Sequence, residues 1–238
     1  MSKVTWKPGT MVYPVPAVMV SCGSTTETQN IITIAWTGTI NTSPAMTYIS
    51  VRKERHSYDL IKESGEFVIN LTTEDLVMAT DFCGVRSGRD FNKFEHLNLT
   101  PIEATHVKAP LIKESPVNIE CRVTEIKELG SHDMFLAEVL AVHVDEKYID
   151  EKGKFHLDQS KPICYSHGGY FGLGEQLGSF GYSVMKKKTK DRRAQTQSKK
   201  ISVKKQVHSD SKKGNPSKSK SKNRKTRSKK SKMGSKKK

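Results

Sequence analysis

Residues 58–71 read YDLIKESGEFVINL, and this stretch predicts a short helix followed directly by a buried strand. Ser57 precedes it and belongs to the residue types that cap helix N-termini. Gly65 stands where a glycine commonly ends a helix, because it adopts the left-handed conformation without a steric penalty. Residues 66–71 are rich in Phe, Val, Ile and Leu, which favour strands. The sequence therefore predicts a helix over 58–64 and a strand over 66–71.

Strand patterns also dominate the residues on either side of this stretch. Residues 117–124 alternate apolar and polar side chains, which is typical of a strand with one buried face. Residues 135–144 are apolar on both faces, which predicts a barrel wall also covered by a helix or by a second subunit. Many strands with a few short helices predict a mainly β fold, a closed or split barrel and not a doubly wound sheet. Further strands are predicted at 31–36 and 46–51, and residues 11–22, which contain Pro14 and Pro16, are predicted to form an edge strand or an irregular lead-in. A second helix is predicted to be capped by Thr72 or Thr73 and closed by Gly84, and a turn is predicted at 150–153.

The charge of the chain is divided sharply between two regions. The whole chain carries +16, with 41 Lys and Arg residues against 25 Asp and Glu. Residues 186–238 hold 24 of the basic residues and two of the acids, so their net charge is +22 and that of residues 1–185 is −6. All 8 Phe, 7 Tyr and 2 Trp also lie before residue 186, so the C-terminal region cannot bury a core. The sequence predicts one folded domain over 1–185 and a disordered Lys/Ser-rich basic tail over 186–238.

The basic tail is a candidate binding segment for polyanions. A flexible polycation binds them through counterion release, with a strong dependence on salt. Nucleic acid, an acidic lipid surface and an acidic protein are all open as partners, and so is a solubilising extension without a partner.

Cysteine usage and hydropathy indicate an intracellular protein. The four cysteines are widely spaced, with no Cys-x-x-Cys pair, so we expect reduced thiols and no metal site. Residues 1–10 lack the apolar core of a signal peptide, and no apolar run approaches the ~20 residues of a membrane span. We therefore expect a cytoplasmic protein with no membrane span.

Two segments have the composition of an anion site. Residues 36–39 read Trp-Thr-Gly-Thr after a predicted strand, where Gly38 permits close backbone approach and the hydroxyls can donate hydrogen bonds. Residues 51–57 read Val-Arg-Lys-Glu-Arg-His-Ser, a basic cluster at the start of the predicted helix. Cations, free helix N–H groups and the helix dipole together favour a bound phosphate. No Gly-x-Gly-x-x-Gly or Walker A sequence is present, so a dinucleotide-type βαβ site is not predicted.

Several separate motifs carry a resemblance to one known family. Residues 58–71 and 81–94 resemble the flavin reductase-like, FMN-binding split-barrel proteins, and 130–139 and 144–146 continue the likeness. Within that family, the flavoredoxin branch is the most similar. The resemblance covers about residues 12–174 and implies a six-stranded antiparallel split barrel that binds FMN at a homodimer interface. The tail has no counterpart in the family pattern.

The resemblance also implies roles for the residues of the phosphate side. Thr37 and Thr39 would lie by the phosphate and the ribityl chain, with Gly38 between them. Lys53 and Ser57 would complete the phosphate site, Ser57 standing where the branch more often has Thr. On this pattern, replacing Lys53 by Ala should weaken FMN binding, because a charge-assisted hydrogen bond is lost.

The same resemblance implies roles on the ring side. Asn30 and Trp36 match positions that contact the isoalloxazine ring, and Tyr165 matches an aromatic position beside it. Lys93 matches a ring-facing cation, which would stabilise the negative charge that builds on reduction. His132 matches a histidine beside the flavin that orients a nicotinamide or a donor protein, so we assign it the catalytic role.

The leading hypothesis is an FMN-dependent oxidoreductase of flavin reductase or flavoredoxin type. Electrons would come from NAD(P)H or from a protein donor and pass through FMN, the one expected cofactor. Two alternatives remain open: a polyanion-binding protein that acts through its tail, and a flavin-binding protein without turnover. Replacing His132 by Ala should slow reduction more than it weakens FMN binding.

Overall fold

The computed structural model describes residues 1–185 of the chain. A compact unit spans Met1–Glu175 and contains every strand of the described residues. The predicted tail, its disorder and its polyanion binding lie outside the described residues. The domain boundary at residue 185 therefore stays a prediction.

Twelve strands and three α-helices make up the described part of the chain, which confirms the prediction of a mainly β fold. The helices are α1 (His56–Ser64), α2 (Val77–Val85) and α3 (Lys93–His96). Single 3-10 turns lie at Glu74–Leu76, Glu146–Tyr148, Leu157–Ser160 and Tyr182–Val184. The strands are β1 (Val15–Pro16), β2 (Val18–Cys22), β3 (Asn30–Ile34), β4 (Thr37–Thr42), β5 (Ala45–Val51), β6 (Glu66–Leu71), β7 (Pro101–Ile102), β8 (Leu111–Ile112), β9 (Val117–Glu128), β10 (Asp133–Val144), β11 (Ile163–Ser166) and β12 (Gly169–Gly172).

The main sheet is antiparallel and closes on itself. Its order is β3-β2-β6-β9-β10-β5-β4, so its two edge strands, β3 and β4, are consecutive in sequence. Only Ala35 and Trp36 join them, and the Ser50 amide of β5 donates to the Trp36 carbonyl at 2.9 Å. A sheet whose edges are joined so closely must curl into a barrel. Counted as one strand bent at Trp36, β3 and β4 give the six-stranded split barrel that the resemblance implies.

The barrel interior is filled by alternate residues of the main sheet and by one face of α1. A buried cluster joins β2, β3, β5, β6, β9 and β10, because every second side chain of a strand points to the same face. α1 contributes Tyr58 and Ile61 to this cluster. Its largest fully buried side chains include Phe67, Phe135 and Ile49.

Two smaller sheets lie outside the barrel. One has the order β1-β11-β12 and the other pairs β7 with β8. Pro16 lies in β1, an edge strand. The prediction of an edge strand or irregular lead-in over the whole of 11–22 is wrong for Val18–Cys22, because these residues form β2, a buried strand between β3 and β6. Burial of β10 decreases along the strand: Phe135 and Ala137 are buried, whereas Val142 is 56% exposed. The C-terminal end of β10 is therefore exposed on one face among residues 1–185.

The predicted N-cap role of Ser57 is wrong. α1 begins at His56, Arg55 occupies the cap position, and no side chain caps the helix. The Ser57 hydroxyl instead accepts a hydrogen bond from Asn30, a tertiary contact with β3. The prediction for Gly65 is confirmed, since it ends α1 with a φ of 67°.

The second helix also differs from its prediction. Neither Thr72 nor Thr73 caps it: Thr72 donates to the Ala17 carbonyl, and a 3-10 turn precedes α2. Gly84 does not close α2, which continues to Val85. A Cβ at Gly84 would lie 3.3 Å from Thr33 Cβ, so the glycine lets α2 approach β3 closely. β3 itself ends at Ile34, two residues before the predicted end, because the chain bends at Trp36.

No helix among residues 1–185 is long and apolar enough to cross a membrane.

Candidate functional site: a basic groove along β3

A groove runs along β3 and the bend that follows it. It consists of two adjoining cavities, of about 280 Å³ and about 140 Å³, which share Ile32 and Arg55 in their linings. The larger, inner cavity lies between β3, the start of α1 and the chain around residues 86–93. The smaller cavity lies beside Trp36 and His132. Four elements far apart in sequence therefore meet at one groove.

Asn30 and Ser57 form the polar floor of the inner cavity. Asn30 is 4% exposed, and its Nδ2 donates to Ser57 Oγ at 2.8 Å. Gly88 crosses directly over this pair, and a Cβ there would lie 2.1 Å from Asn30 Oδ1. A residue with a side chain at position 88 would displace Asn30, so the floor depends on this glycine.

Lys93 is a buried cation without a counterion among residues 1–185. Its side chain is 3% exposed, and Nζ donates to the Ile31 carbonyl at 2.6 Å and to the Cys83 carbonyl at 3.0 Å. No carboxylate lies within 4.0 Å of its ammonium group in residues 1–185. Burial lowers the pKa of Lys93, since desolvation penalises the charged form. An anion in the inner cavity would offset that penalty.

Arginines lie on the exposed rim of the same cavity. Arg55, Arg86 and Arg89 line it, together with His56 at the start of α1. Arg89 Nη1 donates to the Glu54 carbonyl at 3.4 Å, and the Arg86 guanidinium lies 5.9 Å from the Phe91 ring centroid. The arginine side chains and the N-terminus of α1 together make the rim suited to a phosphate.

His132 and Trp36 mark the other end of the groove. Burial lowers the pKa of His132, and the neighbouring Arg52 and Arg55 lower it further while Glu54 opposes them. The Ser131 hydroxyl lies 3.0 Å from His132 Nδ1. At neutral pH the imidazole is therefore mainly neutral, and it can donate or accept one hydrogen bond at the groove.

An aromatic cluster links Trp36 to the predicted ring residue Tyr165. Tyr13 lies between them, with ring centroids 6.2 Å from Trp36 and 6.1 Å from Tyr165. Tyr170 packs edge-on against Tyr165 at 5.7 Å and its hydroxyl donates to Asp81 at 3.3 Å. Tyr165 thus contacts the Trp36 end of the groove through Tyr13 and does not line the groove itself.

The remaining predicted residues lie outside the groove lining. Thr37, Gly38 and Thr39 belong to β4, where the Thr37 hydroxyl donates to the Tyr48 carbonyl and the Thr39 side chain is exposed. Lys53 Nζ faces two carboxylates, Glu128 Oε2 at 3.1 Å and Asp133 Oδ2 at 3.4 Å. Their roles at a phosphate stay predictions.

The predicted anion site included Arg55, within residues 51–57, but not Arg86, Gly88 or Arg89. Arg86, Gly88 and Arg89 lie in the stretch 81–94 that carried the family likeness, but no role was assigned to them. The spacing Arg-Ser-Gly-Arg, two cations around a small flexible pair, was the available signal.

Nucleophilic and metal chemistry have little support at this groove. Burial raises the pKa of the lining thiol Cys83 to about 11, so it remains protonated at neutral pH. Within the described part of the chain, no group of three or more His, Cys, Asp or Glu side chains could hold a metal ion.

Comparison with known proteins gives a consistent assignment. Among solved structures, the flavoredoxin of Desulfovibrio vulgaris (Miyazaki F) is 29% identical with a TM-score of 0.72, covering 77% of this chain and 100% of that one. The flavoredoxin of Methanosarcina acetivorans is 26% identical with a TM-score of 0.69, covering 78% and 100%. An uncharacterized protein of Archaeoglobus fulgidus is 36% identical over 141 residues, 59% of this chain and 78% of that protein. The family model described as flavin reductase like domain matches residues 10–174. The chain therefore belongs to the family of flavin reductase like domains, as the sequence motifs predicted.

Proposed function

We propose that the chain binds FMN in the groove along β3 and acts as a flavin-dependent oxidoreductase or electron-transfer protein. The observation that carries this proposal is the buried ammonium of Lys93, which has no carboxylate partner among residues 1–185. Such a cation is costly unless a ligand compensates its charge, which a group that accepts hydrogen bonds and gains negative charge can do. Membership of the family and the likeness to two flavoredoxins support a flavin as that ligand.

The residues of the groove fit the parts of FMN in one orientation. The three rim arginines would hold the dianionic phosphate, since guanidinium groups bind phosphate bidentately and the rim is open to water. The ring would lie deeper, against Ile32 and Trp36, with Asn30 and Lys93 at its polar edge. Lys93 would then face the part of the ring that gains negative charge on reduction.

The cofactor would supply the redox chemistry, and the residues of the groove would select the donor. When bound, FMN supplies a ring that takes up two electrons and a proton from a donor and passes electrons on to an acceptor. Lys93 would stabilise negative charge on the bound ring by its own buried charge. His132, neutral at pH 7, orients the donor through a hydrogen bond at the open end of the groove. Electrons from NAD(P)H or from a protein donor are both compatible with this arrangement.

Spectroscopy of the purified full chain tests cofactor and donor together. We expect flavin bands at about 375 and about 450 nm, or their shift on addition of FMN. Anaerobic NADH and then NADPH should bleach these bands if a pyridine nucleotide is the donor. Persistent bands would favour a protein donor or a flavin-binding protein without turnover. No FMN binding at all would overturn the proposal.

The phosphate assignment has its own test. Replacing Arg89 by Ala should weaken FMN binding about 10-fold and leave riboflavin, which lacks the phosphate, unaffected. Arg122, exposed on β9 away from the groove, gives the matched control. Thr39→Ala tests the alternative placement on β4: a larger loss there than in Arg89→Ala would move the phosphate to residues 37–39.

His132 provides the check on the donor side. We expect His132→Ala to slow reduction about 10-fold while the dissociation constant of FMN changes less than about 2-fold. A loss of affinity with an unchanged rate would make His132 a cofactor-holding residue.

The protein is proposed to be a homodimer. Val142 on β10 is 56% exposed although the strand is largely apolar, which supports a second subunit over this face. Sedimentation equilibrium should give a dimer mass, and Val142→Glu should shift it toward the monomer. A monomer at all concentrations would contradict this part of the proposal.

A second candidate function rests on the charge asymmetry of the sequence. Residues 186–238 carry +22 against −6 in the rest of the chain. Salt-sensitive binding to DNA or RNA that disappears when 186–238 is deleted would support polyanion binding as the function of this segment. A cytoplasmic location is the expectation for either candidate.

A further inference from the structure

We propose that Lys53, Asp133 and Tyr58 form a clamp that positions His132 at the groove. The inference rests on the proposed function, because it treats His132 as the donor-side residue. It assigns Lys53 a positioning role in place of the phosphate contact that the family resemblance implied.

The clamp acts on the tight turn that carries His132. β9 ends at Glu128 and β10 begins at Asp133, and the two residues face each other in the sheet. The Leu129 amide donates to the His132 carbonyl at 3.2 Å, and Gly130 supplies the φ of 96° that the turn requires. His132 is the last residue of this turn, so its position depends on where the turn is anchored.

One ammonium group holds both ends of the turn. Lys53 Nζ lies 3.1 Å from Glu128 Oε2 and 3.4 Å from Asp133 Oδ2. The Glu128 contact is exposed and contributes little. The Asp133 carboxylate is fully buried, so its contact with Lys53 is the one that restrains the turn.

Asp133 depends on its two partners because it has few others. Tyr58 donates to Oδ2 at 2.6 Å, whereas Oδ1 has no hydrogen-bond partner among the residues that the structure describes. The hydrogen bond to Asp133 raises the pKa of Tyr58, so this hydroxyl remains a donor. Loss of either partner would leave a buried carboxylate still less satisfied, and the start of β10 would move to relieve it.

The same contacts join the turn to the segment that lines the groove. Lys53 lies between Arg52 and Arg55, the two cations beside His132. Tyr58 belongs to α1, whose first turn contributes Ser57 to the inner cavity. The clamp therefore sets the distance between His132 and the two arginines, Arg52 and Arg55.

The test uses three variants of the full chain. Lys53→Met removes the ion pair, Tyr58→Phe removes only a hydroxyl, and Lys53→Arg retains the charge. Lys127→Met is the control, because Lys127 is exposed on the same hairpin and has no ion pair among residues 1–185. NMR of the imidazole protons, assigned with His132→Gln, gives the titration of His132 with and without FMN, and stopped flow gives the reduction rate.

We expect both Lys53→Met and Tyr58→Phe to raise the titration midpoint of His132 toward the ordinary value of about 6.5, since a displaced turn leaves the imidazole less buried and farther from Arg52 and Arg55. Tyr58→Phe changes no charge on the cationic segment, so a rise in this variant cannot come from loss of the Lys53 charge. The reduction rate should fall about 10-fold in Lys53→Met, with FMN affinity changed less than about 2-fold, and Lys53→Arg should restore it.

Unchanged titration of His132 in Tyr58→Phe and Lys53→Met would overturn the clamp. A loss of FMN affinity of about 10-fold in Lys53→Met with His132 unaltered would also overturn it, in favour of the phosphate role. If Lys53→Met does not fold, Tyr58→Phe and Lys53→Arg decide between these outcomes. Failure of the wild-type chain to bind FMN would overturn the proposed function instead, because the His132 titration can be measured without the cofactor.

Discussion

Lys53 and Lys93 are the same residue type in two basic stretches, but their surroundings are opposite. Lys53 is half exposed and lies within 3.4 Å of two carboxylates. Lys93 is almost completely buried, and within the described part of the chain its ammonium donates hydrogen bonds to two backbone carbonyls and to no carboxylate. Burial without a counterion among residues 1–185, and not the clustering of basic residues in sequence, is therefore the criterion by which we propose Lys93 and not Lys53 for the ligand site.

Lys93→Met gives the largest effect that this comparison predicts. We expect the reduced cofactor to bind about 100-fold more weakly relative to the oxidised one, which lowers the midpoint potential by about 60 mV for a two-electron couple. A spectroelectrochemical titration measures this, with Lys127→Met as the control. An unchanged potential together with weaker binding of oxidised FMN would move Lys93 from the ring to the phosphate.

The pH dependence of the reduction rate tests the protonation state of His132, which lies beside Arg52 and Arg55. Burial and the neighbouring Arg52 and Arg55 place its pKa below the ordinary value, so the neutral form predominates above about pH 6.5. If the neutral imidazole orients the donor, the rate should be constant above that pH and fall about 10-fold as pH drops through the lowered pKa. Stopped-flow reduction from about pH 5 to about pH 8 measures it, and His132→Ala should abolish the dependence.

Gly88→Ala tests the floor of the groove beside Lys93. A Cβ at this position would displace Asn30 and break its hydrogen bond to Ser57. We expect FMN binding to weaken about 5-fold, since one hydrogen bond contributes about 1 kcal/mol. Gly9→Ala is the matched control, because nothing lies within 4 Å of a Cβ there. FMN affinity is measured by fluorescence quenching. Equal affinity in both variants would show that the hydrogen bond between Asn30 and Ser57 does not contribute to FMN binding.

Lys53→Ala should have the smallest effect on FMN binding. Its ammonium is occupied by Glu128 and Asp133, so we expect the dissociation constant of FMN to change less than about 2-fold. Titrating Lys53→Ala and Lys93→Met with FMN under the same conditions compares the contributions of the two lysines to FMN binding. A loss of about 10-fold would restore the phosphate role that the family likeness implied.

Sequence reasoning predicted the parts of the fold that depend on local pattern. The strand at 66–71 has its predicted bounds, and Gly65 ends α1, because apolar runs and a left-handed glycine act over a few residues. Helix starts were predicted less well. Ser57 is a good cap by type, but Asn30, 27 residues earlier in the chain, takes its hydroxyl as a hydrogen-bond acceptor.

Of the residues predicted for the site, five line the groove: Asn30, Ser57 and Lys93 in the inner cavity, and Trp36 and His132 in the smaller one. Lys53 does not line it, because its ammonium faces the carboxylates of Glu128 and Asp133, which lie 75 or more positions later in the chain. The order of charged residues in the sequence does not indicate that these two carboxylates lie beside Lys53.

The amino-acid sequence alone determined the family, the antiparallel β class and the division of charge between residues 1–185 and 186–238, since composition and periodicity carry that information. Tertiary structure alone decided which cations of residues 1–185 are paired with carboxylates and which are not. The Tyr58–Asp133 hydrogen bond joins residues 75 positions apart, and closure of the barrel brings their strands and helix together. Whether a charge is paired depends on such long-range contacts and on burial, and neither is a property of its neighbours in sequence.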